Sequence, residues 1–586
     1  MIATMTTCCH CEFPTESPVY ANDGAAWCSH CWPLAPDTEP VMSDIPTASG
    51  LRDYQLQAHD AVYESLVKSG DKSSLVVMPT GTGKTVLFGH VAGNWPSGRV
   101  LIMAHRDELI RQAADKVGKI IGETCDIEMG DDFADQCNLY SRSHVVVTSV
   151  QTMSRERRMS RFNPDDFGLL VIDEAHHATA STYRKVIDYF RQNESLRVLG
   201  VTATPDRTDE EALGKVFDSV AYEYEITKAI DDGWLVPIEQ RFVYVEGLDF
   251  SDVRTTAGDL NAGDLAKVME DEKALHKVVN PVIELAGDQP CLVFAASVAH
   301  AERMAEIANR HKPGQAEFVH GGTDKELRRD MLRRFNRREF QFLFNCMIAT
   351  EGFDEPQIGV VAVARPTKSR ALYSQMIGRG TRPLTGCVDG LPGAEARKQS
   401  IATSGKPSVL VLDFVGNSGR HKLVSTADIL GGNMDDAVVE RARSSASKKS
   451  ANGQSADMTA ELIAAREAIE EENRKRRAAI LAKASYGTKC IDPFVLYDVT
   501  PTREPGWFKG KRPTDKMAAV LEKRGIATRN LSLWQAKQLM PKVINKPTLK
   551  QAGLLLKFGY STDCTSQDAS KIIDKLAANG WRRPKD

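Results

Sequence analysis

A chain of 586 residues, 42% hydrophobic and 26% charged, is long enough for several domains with separate cores. That balance excludes a disordered or collagen-like chain. No run of about 18 apolar residues occurs and no apolar leader opens the sequence, so a membrane span is not expected and a cytoplasmic location is. The net charge of −3 is unevenly spread. Trp507 to Asp586 holds 17 Lys/Arg against 6 Asp/Glu, a local +11 that leaves −14 on the remainder. A basic end on an acidic chain points to a polyanion-binding region, with solvated helix faces as the competing reading.

Five of the twelve cysteines lie in the first 31 residues. Cys8-x-x-Cys11 and Cys28-x-x-Cys31, with sixteen residues between the pairs, are spaced to let four thiolates converge on one structural zinc ion. Cys9, His10 and His30 are substitute ligands, and a segment too short for a core draws its stability from the metal. Residues 1–45 therefore read as a zinc-ribbon-like segment, against free or redox-active thiols.

Residues 46–235 open an α/β pattern. In "SLVVMPTGTGKTVLF" an apolar strand runs into a glycine-rich turn and then a helix starting at Lys84. Thr80, Gly81, Thr82, Gly83, Lys84 and Thr85 form a phosphate-binding loop. Its backbone amides cradle phosphates, Lys84 reaches the β/γ-phosphates and the Thr85 hydroxyl ligates Mg²⁺. Met78 stands where the motif usually has its first glycine. "LLVIDEAHH" is a buried strand ending in Asp173 and Glu174. Carboxylates at that strand end lie beside the phosphates, Asp173 holding Mg²⁺ and Glu174 orienting or deprotonating the attacking water.

Residues 236–434 repeat the strand and helix pattern without a phosphate loop: "PCLVFAASVAHAERMAEIA", "EFVHGGT", "FQFLFNCMIATEGFDEP" and "IGVVAVARPT" supply buried strands. "ALYSQMIGRGTRP" then supplies a helix bearing Arg379 and Arg382. If the two lobes face each other, these arginines reach the γ-phosphate held by the first lobe, where such a group raises phosphoryl-transfer rates by about 10³–10⁵. Hydrolysis is thereby coupled to cleft closure.

These motifs, in this order, resemble superfamily 2 helicases of the DEAD/DEAH-like kind, closest to RadD-like and phage-type DNA helicases. The resemblance covers residues 50 to 430 and implies two RecA-like lobes. In "LRDYQ", Arg52 and Gln55 would bind the adenine end of ATP. "LIMAHRDELIRQ" and "VVVTSVQTM" would face the nucleic-acid backbone through His105, Arg106, Thr148 and Gln151, joined by Thr323 and Thr350 of the second lobe. "VTATP" would couple hydrolysis to lobe movement through Thr202 and Thr204. Gly352 and Asp354 of "TEGFD" would touch the nucleotide side, and Gln375 belongs with Arg379 and Arg382 in "QxxGRxxR".

Residues 435–485 turn polar. "RARSSASKKSANGQSADM" reads as a flexible linker and the following stretch as a charged helix or short coiled coil. Residues 486–586 read as a basic helical module with a tandem repeat (513–539 and 547–573). "PTDKMAAVLEKRG" and "PTLKQAGLLLKFG" align at an offset of 34, each a helix begun by Thr and stopped by Gly, then a second helix capped by Ser. Lys516 and Lys550 are the matched phosphate-contacting candidates. Trp507, Trp534 and Trp581 either stack on bases or fill the core.

The expectation is an ATP-driven, Mg²⁺-dependent DNA helicase or translocase acting in repair, recombination or phage replication. An RNA helicase, and the motor subunit of a larger DNA-processing assembly that engages partners through the zinc ribbon or the tail, are the alternatives.

Overall fold

The computed structural model describes residues 6–7, 14–15, 19–20, 26–27, 50–104, 107–135, 142–203, 212–256, 258–346, 355–417, 421, 423–432, 434–483, 493–497, 499, 502–544, 546–562 and 564–581. The chain divides into two compact units. One spans Met1–Asp206 and Lys215–Ile429; the other joins Arg207–Gly214 to Leu430–Asp586.

The larger unit contains two lobes, each built on a parallel sheet. In the first, strands β1 (Ser73–Val77), β2 (Arg99–Ala104), β3 (Asp126–Glu128), β4 (Val145–Ser149), β5 (Phe167–Asp173), β6 (Arg197–Thr202) and β7 (Ser219–Glu223) are ordered β7-β1-β6-β5-β2-β4-β3. β1 and β4 are buried along their whole length. That burial on both faces is why they read as continuous apolar runs and not as alternating ones. Helix α1 (Asp53–Tyr63), α2 (Lys84–Gly93) and α3 (Asp107–Ile121) connect and cover the sheet. α2 and α3 approach so closely that a Cβ at Gly89 would fall 2.8 Å from Cδ1 of Ile120.

The second lobe orders β10 (Ala316–His320), β11 (Phe342–Cys346), β9 (Cys291–Ala295), β12 (Val360–Ala364), β13 (Val409–Asn417) and β8 (Ile238–Asp249), every pairing between them parallel. Its core packs Val293, Phe342, Phe344 and Leu412 against Val278 and Met304 of the covering helices. Helix α4 (Arg370–Gly378) follows β12. Tyr373 of α4 is anchored from below, its hydroxyl donating to Asp413 on β13 at 2.7 Å. Between α4 and β13 a further segment carries helix α5 (Gly393–Thr403). The two RecA-like lobes thus stand as expected from the motif order.

The smaller unit overturns one expectation. The polar stretch after residue 435 is not a linker: it forms helix α6 (Asp436–Ala451), which turns at Gly453 (φ 76°) into α7 (Met458–Lys483). Val438, Ala442, Ala446 and Ser450 recur every fourth residue and are buried. A stripe of small side chains permits close helix packing although the segment is polar overall. Lys449 and Glu461 (2.5 Å) and Arg441 and Glu472 (2.8 Å) bridge the pair.

The tail is four helices: α8 (Asp515–Lys523), α9 (Leu533–Val543), α10 (Leu549–Lys557) and α11 (Ser566–Ala578). Gly525 and Gly559 both adopt positive φ (87° and 73°), and Ile526 and Tyr560 return the same bond to Leu521 and Leu555. The first halves of the repeat therefore match at the offset of 34. In the second halves the offset falls by one: Ser532 caps α9, but Thr565, not Ser566, caps α11. The second helix of the second unit is therefore capped by Thr and not, as expected, by Ser. Trp507 is buried, Trp534 stacks on Phe508 at 5.2 Å, and Trp581 is exposed beside Phe558.

Candidate nucleotide site

The loop from Met78 to Gly83 leaves the end of β1 and delivers the chain into α2. Gly81 (φ 92°) and Gly83 (φ 78°) are both left-handed, a conformation that glycine takes without steric cost. Neighbouring side chains also lie close against both. A Cβ on Gly83 would lie 2.5 Å from Nε2 of Gln55, and one on Gly81 would lie 3.1 Å from Cγ of Arg382. Two elements pin the loop. Tyr54 donates its hydroxyl to the Thr82 carbonyl at 2.9 Å, and Gln55 donates Nε2 to the same oxygen at 3.0 Å. Oε1 of Gln55 in turn accepts from the Arg52 amide at 3.0 Å. The Gln55 amide therefore joins the start of α1 to the loop, and it is almost wholly buried.

The cleft over this loop has a volume of about 650 Å³ and draws its walls from both lobes. Lys84, Thr85, Asp173 and Glu174 come from the first; Pro356, Arg379, Arg382 and Asp389 come from the second. β6 lies between β1 and β5, so Thr202 pairs with Val77 while Val201 pairs with Asp173. That register sets the phosphate loop, Thr202 and the two carboxylates at one level of the sheet. Glu174 is held at φ 50°, ψ 54°, a left-handed conformation that is uncommon for a non-glycine residue and carries strain. Its amide donates to Asp173 Oδ1 at 3.0 Å, and its carboxylate lies 3.4 Å from Nδ1 of His176.

The charges explain each other. Burial alone would raise the Glu174 pKa, but Lys84, His176 and Arg379 outweigh it and hold the carboxyl below the usual carboxylate range. Burial, then the charge of Arg52, brings Arg382 down to about 10. Lys116 on α3 is lowered by burial and then by Arg382. Positive groups pressed together in a cleft are the environment that an anionic ligand relieves.

At the outer end of the cleft the Arg52 guanidinium lies 4.4 Å over the ring of Trp234, and Arg397 of α5 lies 4.0 Å from the same ring. Arg52 also pairs with Asp389 at 2.7 Å, joining the two lobes. Trp234, Asp389, Arg397 and Lys116 were not found from sequence. None sits in a motif, and only the closed chain brings them to the cleft.

Some expected residues fall elsewhere. Thr148 is fully buried and its hydroxyl donates to the Glu128 carbonyl at 2.8 Å; Gln151 is exposed. Gln55, expected at the adenine end, lines the cleft and holds the loop as described. Gln375 is buried on α4 and does not line the cleft. The Thr323 hydroxyl accepts from the His320 amide at 3.0 Å. Thr80 and Thr82 are buried in the loop, and Lys516 and Lys550 are exposed. His105, Arg106, Thr204, Thr350, Gly352, Asp354 and the zinc candidates Cys8, Cys11, Cys28 and Cys31 lie outside the described residues. Among the described residues no cluster of His, Cys, Asp and Glu is arranged to hold a metal ion, and no helix is long and apolar enough to cross a membrane.

Paired RecA-like lobes, a phosphate loop on one and two arginines facing it from the other define a nucleoside-triphosphate hydrolase of the two-lobed motor class. Comparison with known proteins narrows this. Residues 49–207 match the family "Type III restriction enzyme, res subunit" and residues 272–383 match "Helicase conserved C-terminal domain". A Saccharomyces cerevisiae protein, IRC3, whose name describes an ATP-dependent helicase, is 33% identical over 361 residues, 58% of this chain and 51% of its own length. The type I restriction enzyme EcoAI endonuclease subunit of Escherichia coli is 28% identical over 402 residues, 63% of this chain and 49% of its own. Among solved structures, a fragment of an HsdR subunit of a type I restriction enzyme from Vibrio vulnificus YJ016 aligns with TM-score 0.47 and 23% identity, covering 64% of this chain and 65% of that one. The chain spans about half the length of the curated relatives it matches. It carries a domain of the type III restriction enzyme res-subunit kind followed by a helicase conserved C-terminal domain.

Proposed function

We propose that the protein is an ATP-driven DNA helicase or translocase in which hydrolysis between the lobes drives movement along DNA. The observation that carries the reading is Arg379 and Arg382 of the second lobe lining one cleft with Lys84, Asp173 and Glu174 of the first. ATP with Mg²⁺ fits the residues present: a loop whose two left-handed glycines lie close against neighbouring side chains, a hydroxyl and a carboxylate lining the cleft, and the cations Lys84, Arg379 and Arg382 around it. Thr85 and Asp173 would hold the metal, which when bound supplies charge neutralisation at the β- and γ-phosphates. Lys84 binds the phosphates. Glu174, kept ionised, orients the attacking water and accepts its proton. Arg379 and Arg382 balance charge on the phosphoryl group as it transfers, and cleft opening withdraws them.

Arg52 would take the base end, stacked on Trp234. The basic tail, with Lys516 and Lys550 exposed on matched helices, supports added contact with a nucleic-acid backbone. The restriction-enzyme subunit among the relatives supports the second reading, a motor within a larger DNA-processing assembly. The spacing of Cys8, Cys11, Cys28 and Cys31 supports a structural zinc ion, and metal analysis of protein purified without chelator tests it; less than one zinc per chain counts against the ribbon. A cytoplasmic location and a role in repair, recombination or phage replication belong to the same reading.

Steady-state ATPase of wild type and Lys84→Ala, with no nucleic acid, single-stranded DNA, duplex or forked DNA, and RNA, tests the function. Stimulation by DNA that is lost in the variant is the expected result. Preference for RNA would move the protein to RNA remodelling, and no stimulation by any strand would overturn the autonomous motor.

A further inference from the structure

We infer that Lys406 is a positioning residue for Arg382, its ammonium group fixing the backbone from which that arginine reaches the nucleotide. Lys406 precedes β13, far from every motif in the sequence, and is 2% exposed. Its Nζ donates to the carbonyl of Arg382 at 2.7 Å and to the carbonyl of Pro356 at 2.8 Å. Arg382 and Pro356 both line the cleft, Arg382 just beyond α4 and Pro356 just after the "TEGFD" segment. One cation therefore ties together the two stretches of the second lobe that reach toward the nucleotide.

The backbone around Arg382 is pinned on both sides. The Thr381 carbonyl accepts from the Val236 amide at 2.8 Å, and the next carbonyl accepts from Lys406. Lys406 is itself fixed, its amide donating to Oγ of Ser404 at 3.1 Å. With the main chain held, the Arg382 side chain crosses to the phosphate loop, where its Cγ lies 3.1 Å from the Cβ position of Gly81. A shift of about 1 Å in a group that must meet a transferring phosphoryl costs far more rate than affinity.

A buried ammonium is an expensive way to join two carbonyls. Burial brings Lys406 down to about 7, against the pull of Glu355 and with the push of Arg382. Glu355 is also buried and is held by Asn336 and by the Gln357 amide. An apolar side chain would fill the same space without that cost, so the cation is explained by what it holds and not by packing.

The inference rests on the proposed role of Arg382 in ATP hydrolysis, and a double-mutant cycle separates the two. Nucleic-acid-stimulated kcat, KM for ATP and ADP affinity are measured for wild type, Lys406→Met, Arg382→Ala and the double variant. Lys406→Met is expected to lower kcat about tenfold or more while KM and ADP affinity stay within about threefold, and to cost almost nothing further on the Arg382→Ala background. Lys406→Arg, which keeps charge and donors, should recover part of the loss. An equal loss on both backgrounds, a KM rise matching the kcat loss, or wild-type kinetics in Lys406→Met overturns the inference. Unchanged kinetics in Arg382→Ala would instead sink the reading on which it stands. If Lys406→Met does not fold, Lys406→Gln, which retains two N–H donors without the charge, reads the same cycle.

Discussion

Nδ1 of His176 lies 3.1 Å from Oγ1 of Thr202. The same nitrogen is 3.4 Å from the Glu174 carboxylate. The threonine at the end of β6 is thus one imidazole away from the Glu174 carboxylate, the water activator we propose. Thr202 is fully buried, so its hydroxyl acts within this chain of contacts. Thr202→Val keeps the shape and deletes the bond, worth about 0.5–1.5 kcal/mol. Nucleic-acid-stimulated kcat is expected to fall about threefold to tenfold with little change in KM for ATP. Steady-state kinetics check this; a variant with wild-type kcat would detach Thr202 from catalysis.

Glu174 gives a pH prediction whose sign follows from its surroundings. Burial would raise the pKa, but Lys84, His176 and Arg379 prevail and lower it. A carboxyl lowered in the folded state contributes stability above its unfolded pKa and loses it as pH falls through the folded one. The melting-temperature difference between wild type and Glu174→Gln should therefore be constant above about pH 5.5 and change only at more acid pH. In the same variant kcat is expected to fall at least about 10²-fold with ADP binding retained. Wild-type kcat in the variant would mean that Glu174 is no base.

Much of the site was legible because its chemistry is local. The phosphate loop, the Asp173–Glu174 pair and the Arg379/Arg382 spacing each sit within a few consecutive residues, and strand burial on both faces left continuous apolar runs to locate them. What escaped was non-local. Trp234, Asp389 and Arg397 gather around Arg52 only because the lobes close on each other, and Lys406 finds its two carbonyls from well outside any motif. Thr148 and Gln55 show a related limit: a hydroxyl or amide in a motif can bond a neighbouring backbone, and sequence does not show which partner it takes. The segment after residue 435 misled through composition, since Ala442, Ala446 and Ser450 form a packing stripe that a polar average conceals.

Gly83 offers a steric test of the loop. Alanine there must hold φ 78° and place its Cβ 2.5 Å from Nε2 of Gln55. Both the strain and the clash disturb the two bonds by which Gln55 grips the loop. Gly83→Ala is expected to weaken ADP binding by at least about tenfold and, through a strain of about 1–3 kcal/mol, to lower the melting temperature of the ligand-free protein by only a few degrees. Calorimetric titration with ADP decides it, and binding at wild-type strength would mean that the loop reshapes freely.

The tail yields a prediction in salt. Lys516 and Lys550 occupy the same place on α8 and α10, related by the repeat offset of 34. Both are exposed, on helices whose buried faces carry Leu521 and Leu555. Charge removal at these positions leaves the helix cores intact, so an effect on binding is an effect of charge. If each lysine neutralises one phosphate, the double variant Lys516→Gln, Lys550→Gln loses two released counterions. The slope of log K against log salt should then shrink by about 1.4 on single-stranded DNA and about 1.8 on duplex. The loss should be indifferent to base sequence, as backbone contacts are. Fluorescence anisotropy over a salt series measures both, and an unchanged slope would assign the lysines to solvation and turn the search for the tail's ligand toward protein.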